Sequence, residues 1–224
     1  MNELKHVLVI PDGNRRYAMQ KDIDIPVVYK FISDNTTTEL LKYFLIRKGI
    51  PELSFFAIAR NNVLKRSDKD LDYIYEAQID AYNTWLKISP FNSKIKFRFV
   101  GDMELLPKEY RETAKKLEDA TKNNKHAICN LLAAYDGQWE IIKAIEKAKE
   151  KKVNIAEFYN YLEIKTPIDM IIRTGGEKRF SAAPIYQSNY AELFFLDKFY
   201  PELTIDLLDQ IMGEFKNRER RFGK

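Results

Sequence analysis

Short apolar runs that alternate with longer helical patterns constrain this chain more than any other feature. Six runs stand out: His6 to Ile10, Leu53 to Ile58, Ile95 to Val100, Ala127 to Leu132, Asp169 to Arg173 and Ala191 to Leu196. They are rich in Val, Ile, Leu and Phe with little polar alternation, the pattern of strands covered on both faces. Between them apolar residues recur at three- and four-residue spacing. Tyr110, Ala114, Leu117 and Thr121 form one such stripe, and Ile141, Ile142, Ile145 and Ala148 a second. Leu207, Leu208, Ile211, Met212 and Phe215 form a third. Asn35 or Thr36 is placed to cap a helix that starts over Thr36 to Glu39, and long helices are expected over 36–47 and 67–87. The alternation predicts an α/β fold, one domain over 1–224 with a central, mostly parallel six-stranded sheet flanked by helices. There is no internal repeat or linker, and the lysines of 143–152 read as the solvated end of a helix.

Composition removes several function classes. Thirty-seven basic residues against thirty-three acidic ones leave a net charge of +4, too even a balance for a nucleic-acid footprint. Cys129 is the only cysteine and His6 and His126 the only histidines, which excludes disulfide frameworks and multi-thiolate or multi-histidine metal sites. No apolar run reaches the roughly 18 residues of a membrane helix. The start, Met1-Asn2-Glu3-Leu4-Lys5, lacks a signal peptide's apolar stretch, so the expectation is a cytoplasmic protein.

In an open parallel sheet, ligands bind beyond the carboxyl ends of the strands. The first run is followed by Pro11-Asp12-Gly13-Asn14-Arg15-Arg16-Tyr17, the fifth by Thr174-Gly175-Gly176-Glu177-Lys178-Arg179. Gly13 permits close backbone approach, the helix starting near Asn14 offers free N–H groups, and two arginines add charge-assisted donors for phosphate oxygens. Asp12 beside a phosphate makes sense with Mg²⁺ between them; a plain Asp-Gly turn with Asp12 as a helix cap accounts for it equally. Arg173, the glycine pair, Arg179 and Ser181 suit a second compact anion, and a glycine-rich turn with solvent-facing charges is the alternative. The glycine spacing fits neither a Walker loop nor a dinucleotide fingerprint. The residues alone lead to an enzyme handling two phosphorylated ligands with Mg²⁺.

Along nearly its whole length the chain resembles the cis-prenyltransferases, the undecaprenyl diphosphate synthase family. The matching segments are Ile10 to Ala18, Val100-Gly101-Asp102 with Leu106-Pro107, and Asn130-Leu131 through Tyr135-Asp136-Gly137 to Glu140-Ile141. They continue with Asp169 to Arg173, Gly176-Glu177, Arg179, Ser181, Gln187, Tyr190 and Glu192, and end with Arg220 to Gly223. The resemblance implies that family's fold and a Mg²⁺-dependent condensation of isopentenyl diphosphate with an allylic prenyl diphosphate, forming a Z double bond. It implies Asp12 and Glu192 as metal carboxylates and Asp12, Asn14 and Asn62 as catalytic residues. Gly13, Arg15 and Arg16 would hold the allylic diphosphate, and Tyr17, Tyr29 and Arg66 would bind substrate. Arg173, Arg179 and Ser181 would hold the homoallylic diphosphate. Arg221 and Gly223 would reach the site of the partner in a homodimer. The two long helices would line an apolar tunnel, although most of their apolar residues are explained by core packing alone. Transient contact with a membrane surface would serve product release.

The sequence departs from that family at three places. Val28-Tyr29-Lys30 replaces the usual Gly-His-Lys, and Ile25 stands where an arginine is common. Ala59-Arg60-Asn61-Asn62-Val63-Leu64 replaces Ser-Thr-Glu-Asn-Trp, leaving Asn61 or Asn62 to match the asparagine. Tyr29 and Ile172-Arg173-Thr174-Gly175-Gly176 are similar to the lavandulyl and cyclolavandulyl diphosphate synthase branch, which joins two dimethylallyl diphosphates irregularly. Asn14, Glu177 and Gln187 resemble the chain-elongating members instead. A non-catalytic subunit is a third alternative, against which the intact Asp12 and Arg173 to Glu177 segments speak.

Overall fold

A computed structural model describes residues 3–218. The chain begins β1 (His6–Ile10), α1 (Asn14–Lys21), α2 (Ile25–Phe31), α3 (Thr38–Leu41), β2 (Glu52–Ala59) and α4 (Arg60–Lys65). It continues through α5 (Asp68–Trp85), α6 (Phe91–Lys94), β3 (Ile95–Val100), α7 (Lys108–Thr121), β4 (Ala127–Tyr135) and α8 (Gly137–Ala148). The last elements are α9 (Ile155–Phe158), β5 (Met170–Arg173), β6 (Glu192–Phe195) and α10 (Ile205–Asn217). All six expected strands form, within three residues of their expected ends. Every pairing is parallel, in the order β3-β4-β2-β1-β5-β6. The sheet is therefore wholly parallel. Its central strands are buried on both faces, which is why they read as unbroken apolar runs.

Helices α7 and α10 bury the stripes read from the sequence, Tyr110, Ala114, Leu117 and Thr121 in one, Leu208, Ile211, Met212 and Phe215 in the other. Ser67 caps α5, its hydroxyl accepting from Asp70 N–H at 3.3 Å.

Two helix expectations need correcting. Residues 25–47 are one continuous helical run, with Pro26 in its first turn, and no helix starts at Thr36. Asn35 and Thr36 sit in a π-helical stretch (Ile32–Thr37), where Asn35 Nδ2 donates to Phe31 O at 3.2 Å instead of capping. In α8 the buried face is Gly137, Glu140, Ala144 and Ala148, while Ile142 and Ile145 point to solvent, 56% and 54% exposed. Glu140 is buried because its carboxylate is saturated. It accepts from Tyr135 Oη (2.5 Å), Gln187 Nε2 (2.9 Å) and the N–H groups of Glu163 and Ile164 (both 2.9 Å).

Candidate active site

Beyond Ile10 the chain must turn sharply into α1. Gly13 does so at φ 95°, and a Cβ there would lie 2.3 Å from the Phe199 ring, so only glycine fits. Thr174, one residue past β5, clamps the turn from the other side. Its hydroxyl accepts from Asp12 N–H and donates to Asp12 O, both at 2.8 Å. The first and fifth loops thus lie against each other at the carboxyl edge of the sheet, as the topology requires of neighbouring parallel strands.

Asp12 is the centre of the charges. Its Oδ1 accepts from Gly13 N–H (2.6 Å) and Arg16 Nη2 (3.2 Å), and its Oδ2 accepts from Arg173 Nη2 (2.8 Å). Arg173 is 4% exposed and donates from Nη1 to Arg179 O (2.6 Å) and Ser181 Oγ (2.8 Å). Ser181 adopts a left-handed φ of 53°, a conformation a non-glycine residue holds only where its surroundings impose it. Arg16 continues to Glu177 at 3.7 Å, and Glu177 is ion-paired with Arg179. Gly175 (φ 87°) leaves the space this requires, since a Cβ there would be 2.8 Å from Arg16 Nη2.

Behind these loops lies a cavity of about 320 Å³. Asp12, Asn14, Asn62, Arg66, Arg173, Arg179 and Ser181 line its polar end. Its walls are Tyr29, Ile32, Ser33 and Thr37 of the 25–47 run, Phe55 to Ala59 of β2, and Ile74, Gln78, Ala81, Tyr82 and Trp85 of α5. Trp85 Nε1 donates to Thr38 Oγ1 at 3.0 Å, and its ring stacks on Phe97 with centroids 5.3 Å apart. Arg66 Nη1 donates to Tyr29 Oη at 3.1 Å. Asn14 Oδ1 and Arg173 Nε are buried and have no hydrogen-bond partner among the described residues. Buried polar atoms are nearly always satisfied, so two orphans in one cavity wall mark a place where a polar ligand belongs.

The structure brings together Asp12, Gly13, Asn14, Arg16, Tyr29, Asn62, Arg66, Arg173, Arg179 and Ser181. Asn62, not Asn61, faces the cavity. Arg15 turns away and pairs with Asp70 of α5 at 3.4 Å, and Tyr17 packs against the core. Glu192 is not brought to Asp12. It opens β6 level with Met170, three residues below Arg173, and its carboxylate accepts from Arg218 at 2.8 Å. Within one chain the two carboxylates cannot share an ion, because they belong to different ends of the strands. Arg221 and Gly223 lie outside the described residues. The motifs in the sequence assign no role to Thr174 or Glu177; the hydroxyl directly after Arg173 is the signal for the first.

Among the described residues no group of three or more His, Cys, Asp or Glu is arranged to hold a metal. The donor set nevertheless suits Mg²⁺, which takes one or two carboxylates and completes its shell with phosphate oxygens and water. Asp12 is a hard-oxygen donor at the cavity mouth whose two oxygens are now covered by arginines, the groups a diphosphate would draw away.

A wholly parallel α/β sheet, with two arginine-bearing loops meeting at its carboxyl edge and one cavity behind them, defines the class. The chain matches the Prenyltransf family of undecaprenyl diphosphate synthases over residues 10–223, and it belongs to that family, the cis-prenyltransferases. It is 34% identical to a tritrans,polycis-undecaprenyl-diphosphate synthase (geranylgeranyl-diphosphate specific) of Pyrobaculum aerophilum, covering 98% of this chain and 95% of that one. It is 33% identical to an isoprenyl transferase of Campylobacter jejuni over the full length of both. The crystal structure of a probable undecaprenyl diphosphate synthase from C. jejuni superposes with a TM-score of 0.83 at 31% identity, covering 100% of both chains. Lavandulyl diphosphate synthase from Lavandula x intermedia superposes at 0.88 with 23% identity, covering 98% of each, a likeness of fold.

Proposed function

We propose that the protein condenses isopentenyl diphosphate with an allylic prenyl diphosphate and releases a Z-prenyl diphosphate. The observation that carries this reading is one cavity that joins residues of both arginine-bearing loops to a wall rich in aromatic and aliphatic side chains. The reaction breaks the allylic C–O bond, forms a C–C bond to the homoallylic substrate, and releases inorganic diphosphate and a proton. Donors aimed at the leaving diphosphate stabilise the charge that grows on it. The Gly13 loop, Arg16 and Arg66 would provide these on the allylic side. Arg173, Arg179 and Ser181 would fix the homoallylic diphosphate, and Arg173 would set the spacing of the two because it also contacts Asp12. Asn14 Oδ1 and Asn62 would orient the reacting carbons from the cavity wall, and Tyr29 to Trp85 would shelter the prenyl chain from water. Asp12 would hold Mg²⁺ together with diphosphate oxygens. When bound, the ion would supply Lewis-acid neutralisation of the leaving group.

Homodimerisation belongs to the same reading, supported by the outward Ile142 and Ile145 of α8, and a monomer in sedimentation equilibrium at working concentration would remove it. Transient membrane contact for product release is supported by the exposed Met19, Val27 and Phe31 beside the cavity wall. Failure of the protein to float with lipid vesicles in the presence of product would remove that part. No described helix is long and apolar enough to cross a membrane.

The test is product analysis with Mg²⁺, labelled isopentenyl diphosphate and, separately, dimethylallyl, geranyl, farnesyl and geranylgeranyl diphosphates. A longer Z-prenyl diphosphate in at least one reaction is expected. A branched ten-carbon product from dimethylallyl diphosphate alone would replace the reading with irregular condensation, and no product in any reaction would remove it.

A further inference from the structure

The charges at the carboxyl edge form a chain that returns on itself. Arg173 holds Asp12, Asp12 holds Arg16, Arg16 meets Glu177, Glu177 holds Arg179, and Arg179 O accepts from Arg173. Glu177 is the member with no place in the reaction described above. It is separated from Asp12 by the Arg16 guanidinium that lies between them, so the two carboxylates do not form a joint cation site. Each of its oxygens is turned to a different arginine, Oε1 to Arg16 from the first loop and Oε2 to Arg179 from the fifth. The left-handed Gly175 and Gly176 fold the loop back to make this possible.

We propose that Glu177 is a built-in stand-in for diphosphate, a positioning residue that holds Arg16 and Arg179 between the two anion sites until substrates displace it. This rests on the reading of the two loops as diphosphate sites. The geometry supports displacement. Arg179 and Arg16 are 59% and 46% exposed and Glu177 34%, so the pairs are weak enough to exchange for a dianion. Arg179's backbone, by contrast, stays tied to the buried Arg173, so its guanidinium can change partner without the loop moving. One carboxylate serves both arginines. A diphosphate that drives it off Arg179 therefore also frees Arg16, and filling one site favours filling the other.

The sign of a single substitution decides the matter. A carboxylate that competes with the ligand lowers affinity, so Glu177→Gln should raise it. A carboxylate that organises the loop or holds a cation raises affinity, so its loss would lower it. Inorganic diphosphate is titrated by calorimetry into the whole protein in chelator-containing, magnesium-free buffer, with wild type, Glu177→Gln and Glu177→Asp compared. We expect Glu177→Gln to bind about three- to fivefold more tightly, the range of an exposed ion pair, and Glu177→Asp to lie close to wild type. The wild type's steeper binding isotherm should flatten in Glu177→Gln, a change a purely structural residue would not produce. Equal or weaker binding by Glu177→Gln overturns the inference while leaving the diphosphate sites standing. Absence of diphosphate binding to all three proteins would instead remove the sites, and the inference with them.

Discussion

The two edges of this sheet carry similar side chains and put them to different uses. At the amino edge the buried His6, Glu52, Ser54 and Asn130 form a network that the exposed Thr166 closes from the surface. Thr166 donates to Glu52 Oε2 (2.7 Å), so it accepts from His6 Nδ1–H (3.0 Å), which leaves His6 Nε2 to accept from Ser54 Oγ (2.8 Å). Asn130 Nδ2 closes the network onto Glu52 Oε1 (2.6 Å) and Ser54 Oγ (3.2 Å), and Arg98 donates to Asn130 Oδ1 (3.2 Å). A serine donating to a histidine with a carboxylate beyond it has the parts of a nucleophilic triad. Ser54 is fully buried, however, does not line the cavity, and no buried side-chain polar atom of the network lacks a partner. At the carboxyl edge Arg16 and Arg179 are exposed around the buried Arg173, two buried polar atoms lack partners, and a cavity opens behind them. Saturation marks the first network as structural; incompleteness marks the second as the candidate site.

The contrast can be broken from either side. The largest effect is expected at the carboxyl edge, where Asp12→Ala should lower Mg²⁺-dependent incorporation of labelled isopentenyl diphosphate by about 10²- to 10³-fold, and should also lower the melting temperature because the buried Arg173 loses its carboxylate. Activity within a few fold of wild type would remove Asp12 from the reaction. Arg179→Ala should raise the KM for isopentenyl diphosphate about tenfold or more, since bonds to charged groups contribute about 1.5–3 kcal/mol, while the allylic KM changes little. Equal increases in both would show that the two sites are wrongly divided.

At the amino edge the pattern should invert. Ser54→Ala leaves His6 Nε2 without its donor and should cost about 1–3 kcal/mol of stability, read from urea unfolding, with both KM values unchanged. A KM effect as large as that of Arg179→Ala would dissolve the distinction between the edges. The smallest effect concerns pH. Burial, the dominant cause, lowers the His6 pKa below its ordinary 6.5, against the opposing pull of Glu52 and Asp169. The unfolded chain therefore takes up that proton first as pH falls. His6's contribution is complete above pH 6.5 and declines below it. Urea midpoints measured between pH 7.5 and 5 should fall more steeply for wild type than for His6→Gln, and parallel slopes would contradict this.

The strands were legible because burial on both faces writes an uninterrupted apolar run. The meeting of the first and fifth loops was legible because both follow strands at the same sheet edge and carry glycine and arginine there. Helix α8 was misread because its buried face is small and polar, with Glu140 inward and Ile142 and Ile145 outward. Side-chain type alone does not say which carboxylates are saturated. The expected helix start at Thr36 failed because asparagine and threonine act as N-caps only where a helix begins, and here the helix runs through them unbroken. Glu192 shows what spacing in the sequence leaves out: its position along β6, not its chemistry, separates it from Asp12 within one chain. Nor does the sequence show that Arg15 turns to Asp70 while its neighbour Arg16 turns to Asp12, a division set by the angle at which α1 leaves the Gly13 turn.

The central claim, that the carboxyl edge holds two diphosphates side by side across Arg173, is tested most directly by a crystal structure. The protein would be crystallised with Mg²⁺, isopentenyl diphosphate and an unreactive thio-analogue of an allylic diphosphate. The account predicts one diphosphate at Gly13 and Arg16, a second on Arg173, Arg179 and Ser181, the prenyl tail running toward Trp85, and Glu177 released from both arginines. A single diphosphate bridging both loops, or a tail lying outside the cavity, would contradict it.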